Sequence, residues 1–567
     1  MTTPANTPGP DRAPAHTDPA ADTPDPALAP FTSYVELILA ALARVPDRPV
    51  MTTADGDEIT AGTFHATVHR MAAELADRGI ARGRTVSLLS GNRPEVLAAR
   101  YAANLLGARV VFLYDGMAPE TLARIAESVE TALLLVDPDL HDTAHVLLTH
   151  LRGDRPAVLT LGPVADATTG VATGAAMGNT QTTDTRSHRP HSHPTEPLGP
   201  DLLAVCAARP TTPTVPSAAR PEDDWCIRHT GGTTGVPKGV RMAYAPYARM
   251  FTARSPEAVG APPRFLACTS LAHLAGIMAD RALAAGGTVV LHRTFDPAAV
   301  LATIARERIT DLWLLPPLLY RLLDHPDLPT TDLTSLTRIS YGGCPASPSR
   351  LRAAAEAFGP VLYGCYGQSE AMTISEASPD EHAVTGPGGR ITVGRARPGV
   401  EIAIRDADGR TLPPGEQGEI QVRSAGVMTG YWKRPDLTAE VLHDGWLRTG
   451  DTGCLDADGY LFIVDRLKDL IIVVGGHVHP AELEDLLHTH PAVAHCAVYG
   501  VRTADETEEV HVAIVPALGR TVDADEIRAF VTDHKGAIYA PAAVHLVDEI
   551  PLTPVGKPDK ARLRATS

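Results

Sequence analysis

At 567 residues the chain is too long for a single hydrophobic core and predicts at least two domains, the larger one subdivided. With 44% hydrophobic and 21% charged residues it reads as soluble and globular. A formal charge of −17 argues against nucleic acid or an anionic membrane as main partner, since both demand clustered Lys and Arg, but it leaves local anion sites open.

The seven cysteines are scattered without a CxxC pair, which favours free thiols in a reducing, cytoplasmic setting over disulfides or zinc. The first 30 residues are rich in Pro, Ala and Asp, predicting a disordered tail rather than a secretory signal. No uninterrupted apolar run reaches membrane-spanning length.

From Phe31 the text becomes periodic. Helices are expected over 34–44, 63–78 and 94–106, the last two ended by Gly79 and Gly107, with strands over 85–89, 109–113 and 132–136. Helices alternating with short apolar strands predict a doubly wound, largely parallel sheet. Between about 166 and 220 the pattern lapses into Thr, Pro, Gly and His, including a His-rich run over 188–194, and reads as a solvated insertion rather than a metal site. Further strands are expected over 286–291, 312–315, 339–341 and 361–363, with a helix over 297–308 and another capped by Ser347 with Pro348 at its first position. From Val400 short strands separated by Asp408-Gly409, Pro414-Gly415 and Asp458-Gly459 turns predict a small β-barrel-like subdomain. A separate unit of about a hundred residues follows, with a boundary at Arg466–Asp469. The fold class is therefore α/β: a large N-terminal domain over 31–466 of doubly wound sheets plus the barrel-like subdomain, hinged to a small α+β domain over 467–567.

One stretch carries an anion-binding signature. Arg228 to Gly239 reads RHTGGTTGVPKG, in which Thr230, Thr233 and Thr234 and the glycines Gly231, Gly232 and Gly235 crowd Lys238. Glycines let backbone N–H groups approach an anion, hydroxyls add donors, and a lysine is a point charge suited to phosphate. The stretch is neither a P-loop, since Lys238 lies between Pro237 and Gly239, nor the dinucleotide fingerprint, since Thr230 stands where the first glycine would be. Tyr366-Gly367-Gln368-Ser369-Glu370 follows a strand, where open α/β sheets place ligands. There Tyr366 could stack on a base and Glu370 could hold Mg²⁺, although Glu370 alone also suits a solvated helix start. Asp451, in a turn, suits two ribose hydroxyls; read alone, Lys557 near the C-terminal end is a surface lysine.

Together these stretches resemble the adenylate-forming superfamily of acyl-CoA synthetases, nonribosomal adenylation domains and firefly luciferases, in matching order along nearly the whole chain from Phe31. Ser369 stands where the family has threonine, keeping the hydroxyl, and Asp465 where glycine is commoner. The resemblance implies ATP and Mg²⁺, a small carboxylic acid, and CoA as co-substrate. It implies that Thr230 to Lys238 embrace the β- and γ-phosphates, that Gly343, Cys344 and Pro345 border adenine with Tyr366 on its other face, and that Ser369 meets the α-phosphate. Glu370 would take the metal, Asp451 with Arg466 the ribose, and Lys557 the catalytic step, with Lys468 as the hinge between an adenylating and a thioester-forming orientation. In the latter the 470–479 face would replace Lys557. Thr269 to Gly276 resembles the acid-pocket wall of acyl- and aryl-CoA ligases, with His273 gating the pocket or flanking the carboxylate. That stretch lacks the aspartate of amino-acid-activating domains; Asp280, further along, could contact a polar substituent, with solvated helix surface the favoured reading. His477, Val478 and His479 depart from the usual residues of the thiol channel. The implied activity is acid activation through an acyl-adenylate, then transfer to CoA. A carrier protein, a nitrogen nucleophile or nitrite chemistry stands as alternative, and a non-catalytic nucleotide-binding regulator as the rival from another class.

Overall fold

The computed structural model describes residues 31–113, 116–163, 198–212, 214–230, 237–252, 261–466, 470–473, 476–503, 508–553 and 556–566. Two large sheets dominate. Among the described residues, one has nine strands, in which Pro49–Thr52, Arg264–Ala267, Thr288–Leu291, Asp311–Leu314, Arg338–Gly342 and Leu362–Gln368 run parallel. The other has seven, with a parallel core of Thr85–Leu89, Arg109–Leu113, Thr131–Val136, Ala157–Thr160 and Asp224–Thr230. Strands such as Arg109–Leu113 and Thr131–Val136 are buried on both faces over most of their length, which is why they read as apolar runs instead of alternating.

Helices cover the faces of both sheets. Tyr34–Ala43 opens with a reciprocal cap between Ser33 and Glu36, satisfying two donors that the first turn would otherwise leave orphaned. Pro348–Phe358 begins after Ser347 with Pro348 in its first turn, but the Ser347 hydroxyl meets Ser349 Oγ at 2.9 Å instead of a backbone N–H. The expected insertion lies outside the described residues as far as 197. Its last part departs from the solvated reading: helix Leu202–Ala207 buries Leu202 and Cys206 against the core, because apolar side chains spaced four apart share one face. The His-rich run over 188–194 lies outside the described residues.

Five antiparallel strands, Val400–Arg405, Gly418–Ser424, Leu442–His443, Trp446–Leu455 and Leu461–Arg466, form the expected barrel-like sheet. The C-terminal unit has a three-stranded sheet, Val493–Arg502, Glu508–Pro516 and Ala543–Leu546, with its own apolar core against helices Pro480–Leu487 and Ala524–Lys535. It rests on the large unit through Lys557's neighbourhood, through His495–Asp324 at 3.5 Å and Arg390–Glu482 at 3.4 Å, and through an edge-on contact between Tyr320 and His488.

Asp280 reverses its expectation. It is 0% exposed and accepts hydrogen bonds from Arg100, Tyr101 and, at 2.6 Å, Tyr247. Tyr34, Tyr101, Trp225 and Tyr247 enclose the ion pair as an aromatic box. A carboxylate is tolerated there because every acceptor face is satisfied by a donor, one of them cationic.

Candidate active site

The site lies where the carboxyl ends of the nine-stranded sheet meet the seven-stranded sheet, the barrel-like sheet and the C-terminal unit. Thr230 and Lys238 are partners at the base of an antiparallel hairpin, Asp224–Thr230 with Lys238–Ala243. The anion-binding stretch thus joins strand to strand, unlike a P-loop, which runs into a helix. Its tip, with Gly231, Gly232, Thr233, Thr234 and Gly235, lies outside the described residues. Lys238 Nζ sits 5.1 Å above the Tyr431 ring. Tyr431 in turn donates to Glu370 Oε1 at 3.0 Å, and the Glu370 carbonyl accepts from Met428 N at 2.7 Å. The loop after Leu362–Gln368 is thereby pinned to the short strand Gly430–Tyr431, which pairs with the hairpin. Sequence reading missed Tyr431; no motif singles it out, because its role depends on a neighbour 61 positions away.

Tyr366 and Asp451 come from different sheets and meet: Tyr366 Oη donates to Asp451 Oδ2 at 2.7 Å, both residues buried. Asp451 is aimed by Thr449, whose hydroxyl accepts from Asp451 N at 3.1 Å and donates to Ile420 O at 2.7 Å. The backbone of Arg466 pairs with Asp451. Gly367 and Gln368 end the Tyr366 strand, and the Gln368 Nε2 donor is buried with no hydrogen-bond partner among the described residues. Ser369 and Glu370 sit in the turn beyond, half-buried. Gly342 shows why this edge is glycine: a Cβ there would stand 2.1 Å from the Cys365 carbonyl and against the Trp313 ring. Gly343, Cys344 and Pro345 follow at the strand's exit. Burial pushes the Cys344 thiol up to about 12, a weak nucleophile despite the neighbouring Lys557 cation.

His273 precedes helix Leu274–Ala284. Burial lowers its imidazole to about 3, with further lowering from the cations of Arg228 and Lys557, so it is neutral at pH 7. Arg228 is itself buried, and its Nε has no hydrogen-bond partner among the described residues. Asn92, another residue the sequence reading passed over, fixes the turn before His273: its Oδ1 accepts from Leu271 N at 2.9 Å and its Nδ2 donates to Thr269 O at 2.9 Å and His292 O at 3.0 Å.

Lys557 belongs to a short turn in which Leu552 bridges Pro558, Thr553 N donates to Lys557 O at 2.7 Å and Lys557 N to Thr553 Oγ1 at 3.2 Å. Gly556 turns through φ 83° beside Leu315, where an added Cβ would come within 3.2 Å of Leu315 Cδ1. The lysine that read alone as a surface residue is thus brought to the cleft, within electrostatic range of His273 and Cys344. Lys468 lies outside the described residues, as do the side chains of Arg466 and His477. Val478 is buried in strand Gly476–Val478, and His479 stands before helix Pro480–Leu487.

Two α/β units meet over a polar cleft at the carboxyl ends of parallel strands, where open α/β sheets place ligands. The family model for AMP-binding enzymes matches residues 39–432, and the one for the AMP-binding enzyme C-terminal domain matches residues 482–557. The chain is 35% identical over 541 residues to the medium/long-chain-fatty-acid–CoA ligase FadD8 of Mycobacterium tuberculosis, covering 93% of this chain and 89% of that protein. Among solved structures, the amide bond synthetase McbA from Marinactinospora thermotolerans is 37% identical, with a TM-score of 0.77 over 94% of this chain and 99% of that one. ATP-bound MatB from Rhodopseudomonas palustris is 26% identical, with a TM-score of 0.77 over 94% and 99%. The chain belongs to the AMP-binding, adenylate-forming enzymes. It is an adenylate-forming ligase that activates an acid with ATP. Among the described residues no helix is long and apolar enough to cross a membrane.

Proposed function

We propose that the enzyme activates a carboxylic acid as its acyl-adenylate and then passes the acyl group to the thiol of CoA. The observation that supports this reading most directly is the meeting of Tyr366 and Asp451 across two sheets, with Glu370 held by Tyr431 and with Arg228 and Lys557 near enough to His273 to help keep its imidazole neutral. A carboxylate and a triphosphate repel each other, and cations held in a partly dry cleft offset that repulsion before reaction begins.

In this reading Asp451 and Tyr366 seat the nucleoside, and Thr230 with Lys238 and the loop between them grips the departing phosphates. The substrate carboxylate lies between neutral His273 and Lys557 and attacks the α-phosphorus. The bond to the β-phosphate oxygen breaks, and pyrophosphate leaves with its charge against Lys238. Lys557 stabilises negative charge on the α-phosphoryl oxygens, and Ser369 adds a hydroxyl donor. Glu370 suits Mg²⁺: Tyr431 steadies one oxygen, and the other makes no hydrogen bond among the described residues. One protein carboxylate fits an ion that keeps waters and phosphate oxygens as its remaining ligands and screens their charge when bound. For the second step the C-terminal unit rotates near Lys468, the 470–479 face replaces Lys557, and the thiolate attacks the acyl carbon as AMP leaves.

A second reading, transfer to an amine, is favoured by the 37% identity to an amide bond synthetase over 94% of this chain. Pyrophosphate release over fatty, aryl and amino acids, each with CoA, with an amine and with neither, followed by product mass, distinguishes them. A thioester supports the CoA reading. Acid-dependent release that yields amide and no thioester overturns it in favour of the amine, and no release with any acid overturns both.

A further inference from the structure

Two polar contacts between the large unit and the C-terminal unit share one design: a charged side chain is braced within its own unit before it reaches the other. Asp324, at the end of helix Pro316–Leu323, accepts from Arg350 Nη2 at 2.6 Å. The same nitrogen donates to Tyr320 O at 3.3 Å, and the guanidinium lies 5.1 Å from the centre of the Tyr320 ring. Across the junction, His495 Nε2 faces the same Asp324 oxygen at 3.5 Å. Burial lowers the His495 imidazole, so at pH 7 a neutral ring faces a carboxylate there. In the second contact Arg390, tied to Ile463 O at 3.4 Å, reaches Glu482 Oε1 at 3.4 Å. The other Glu482 oxygen accepts from Tyr539 Oη at 2.9 Å and from Lys535 at 3.3 Å.

Both sides of this junction are fastened to the site. In the large unit, Tyr320 Oη accepts from Ser347 N at 2.7 Å, just beyond Pro345, and the Tyr320 ring stands edge-on to His488 with centroids 6.0 Å apart. In the C-terminal unit, Glu484 Oε1 accepts from Val498 N at 2.9 Å and meets Lys560 Nζ at 3.1 Å. One carboxylate thereby joins three pieces: helix Pro480–Leu487 with Glu482, strand Val493–Arg502 with His495, and the segment that carries Lys557 shortly before Lys560. Leu563, buried among Ala497, Tyr499 and Ala513, seats that same segment on the sheet. The two contacts therefore fix Lys557 relative to the strand exit at Gly343–Pro345.

Resting on the two-orientation reading above, we propose that Asp324 and Arg390 are positioning residues that hold the C-terminal unit in the adenylating orientation, and so set the balance between the two half-reactions. Both act through the placement of Lys557 and not on the reactants. Each contact pairs one side chain from either unit, so a rotation that withdraws Lys557 breaks both. All four partners keep some solvent access, and a pair of that kind biases an equilibrium by up to about fivefold. Such contacts bias the orientation without locking it, as suits a unit that moves in every turnover.

The test compares two rates in each protein, using the fatty, aryl or amino acid that releases most pyrophosphate. One is acid-dependent exchange of labelled pyrophosphate into ATP; the other is conversion of the supplied acyl-adenylate to product. Each rate follows the population of its orientation, so their ratio reads the equilibrium whatever its starting value. Asp324→Ala or Arg390→Ala should lower the exchange-to-transfer ratio by about three- to fivefold, and the double variant by about tenfold or more, with transfer unchanged or faster. His495→Ala should match Asp324→Ala and add little to it. Misfolding lowers both rates together and shows in the unfolding midpoint; the single variants carry the test if the double one does not fold. A ratio unchanged in folded variants, or full additivity of Asp324→Ala with His495→Ala, overturns the proposal. Lys557→Ala distinguishes the two levels: if it separates the half-reactions and the contact variants do not, the proposal falls alone. If it does not separate them, the two-orientation reading falls and the proposal with it.

Discussion

Replacing Lys557 by alanine should separate the two half-reactions. The lysine is held over the cleft by its own turn, through Thr553 and the Leu552–Pro558 bridge, and by the fit of Gly556 on Leu315. Because those contacts are made by backbone and by neighbours, Lys557→Ala removes the ammonium and leaves the turn seated. A unit charge about 4 Å from a developing phosphoryl charge is worth roughly 4 kcal/mol at the effective dielectric of a partly enclosed site. Loss of one preorganised donor elsewhere costs about 10²–10³ in kcat, the same range. Adenylation, followed by acid-dependent exchange of labelled pyrophosphate into ATP, should therefore fall by about three orders of magnitude. Conversion of a supplied acyl-adenylate to product should change by less than about threefold, since Lys557 is absent from that orientation. An equal fall in both steps, in a protein with unchanged unfolding midpoint, would refute the two-orientation account. A fall of under tenfold in adenylation would refute the assignment of Lys557 itself.

Two further outcomes rest on burial. Asp280→Ala leaves the Arg100 guanidinium buried without its counter-charge, and should lower the stability of the large unit by about 3–5 kcal/mol, read as an earlier denaturant midpoint. An unchanged midpoint would mean that water or another acid reaches Arg100. His229, 4% exposed, is lowered by burial to about 4, so between about pH 4 and 6.5 the unfolded chain binds a proton that the native one does not. Stability then rises with pH across that window and is fully present above 6.5; His229→Gln should flatten the dependence by up to roughly 3 kcal/mol between its ends. Parallel curves for the two proteins would show that His229 is charged in the native state.

What the sequence determined by itself was local or repeated. Strand Arg109–Leu113 was legible to the residue because a strand covered on both faces leaves little polar alternation to confuse it. The barrel-like sheet was legible from its turn residues, and the family from several motifs in order, each with chemistry of its own. Helix Leu202–Ala207 was hidden because six residues are too few for a period to stand out from a Thr- and Pro-rich surrounding. Asp280 shows the limit more sharply. A carboxylate on a helix looks solvated from its neighbours in sequence, and only the arrival of Arg100 from 180 positions away makes its burial possible. Tyr431 against Glu370 and Asn92 under the His273 turn are of the same kind. Each is an ordinary residue whose meaning is a pairing, and pairings across sheets and domains are set by tertiary packing. Residue types and order thus determined which reaction class the chain belongs to; the tertiary structure decided which distant residues pair and which charges can be buried.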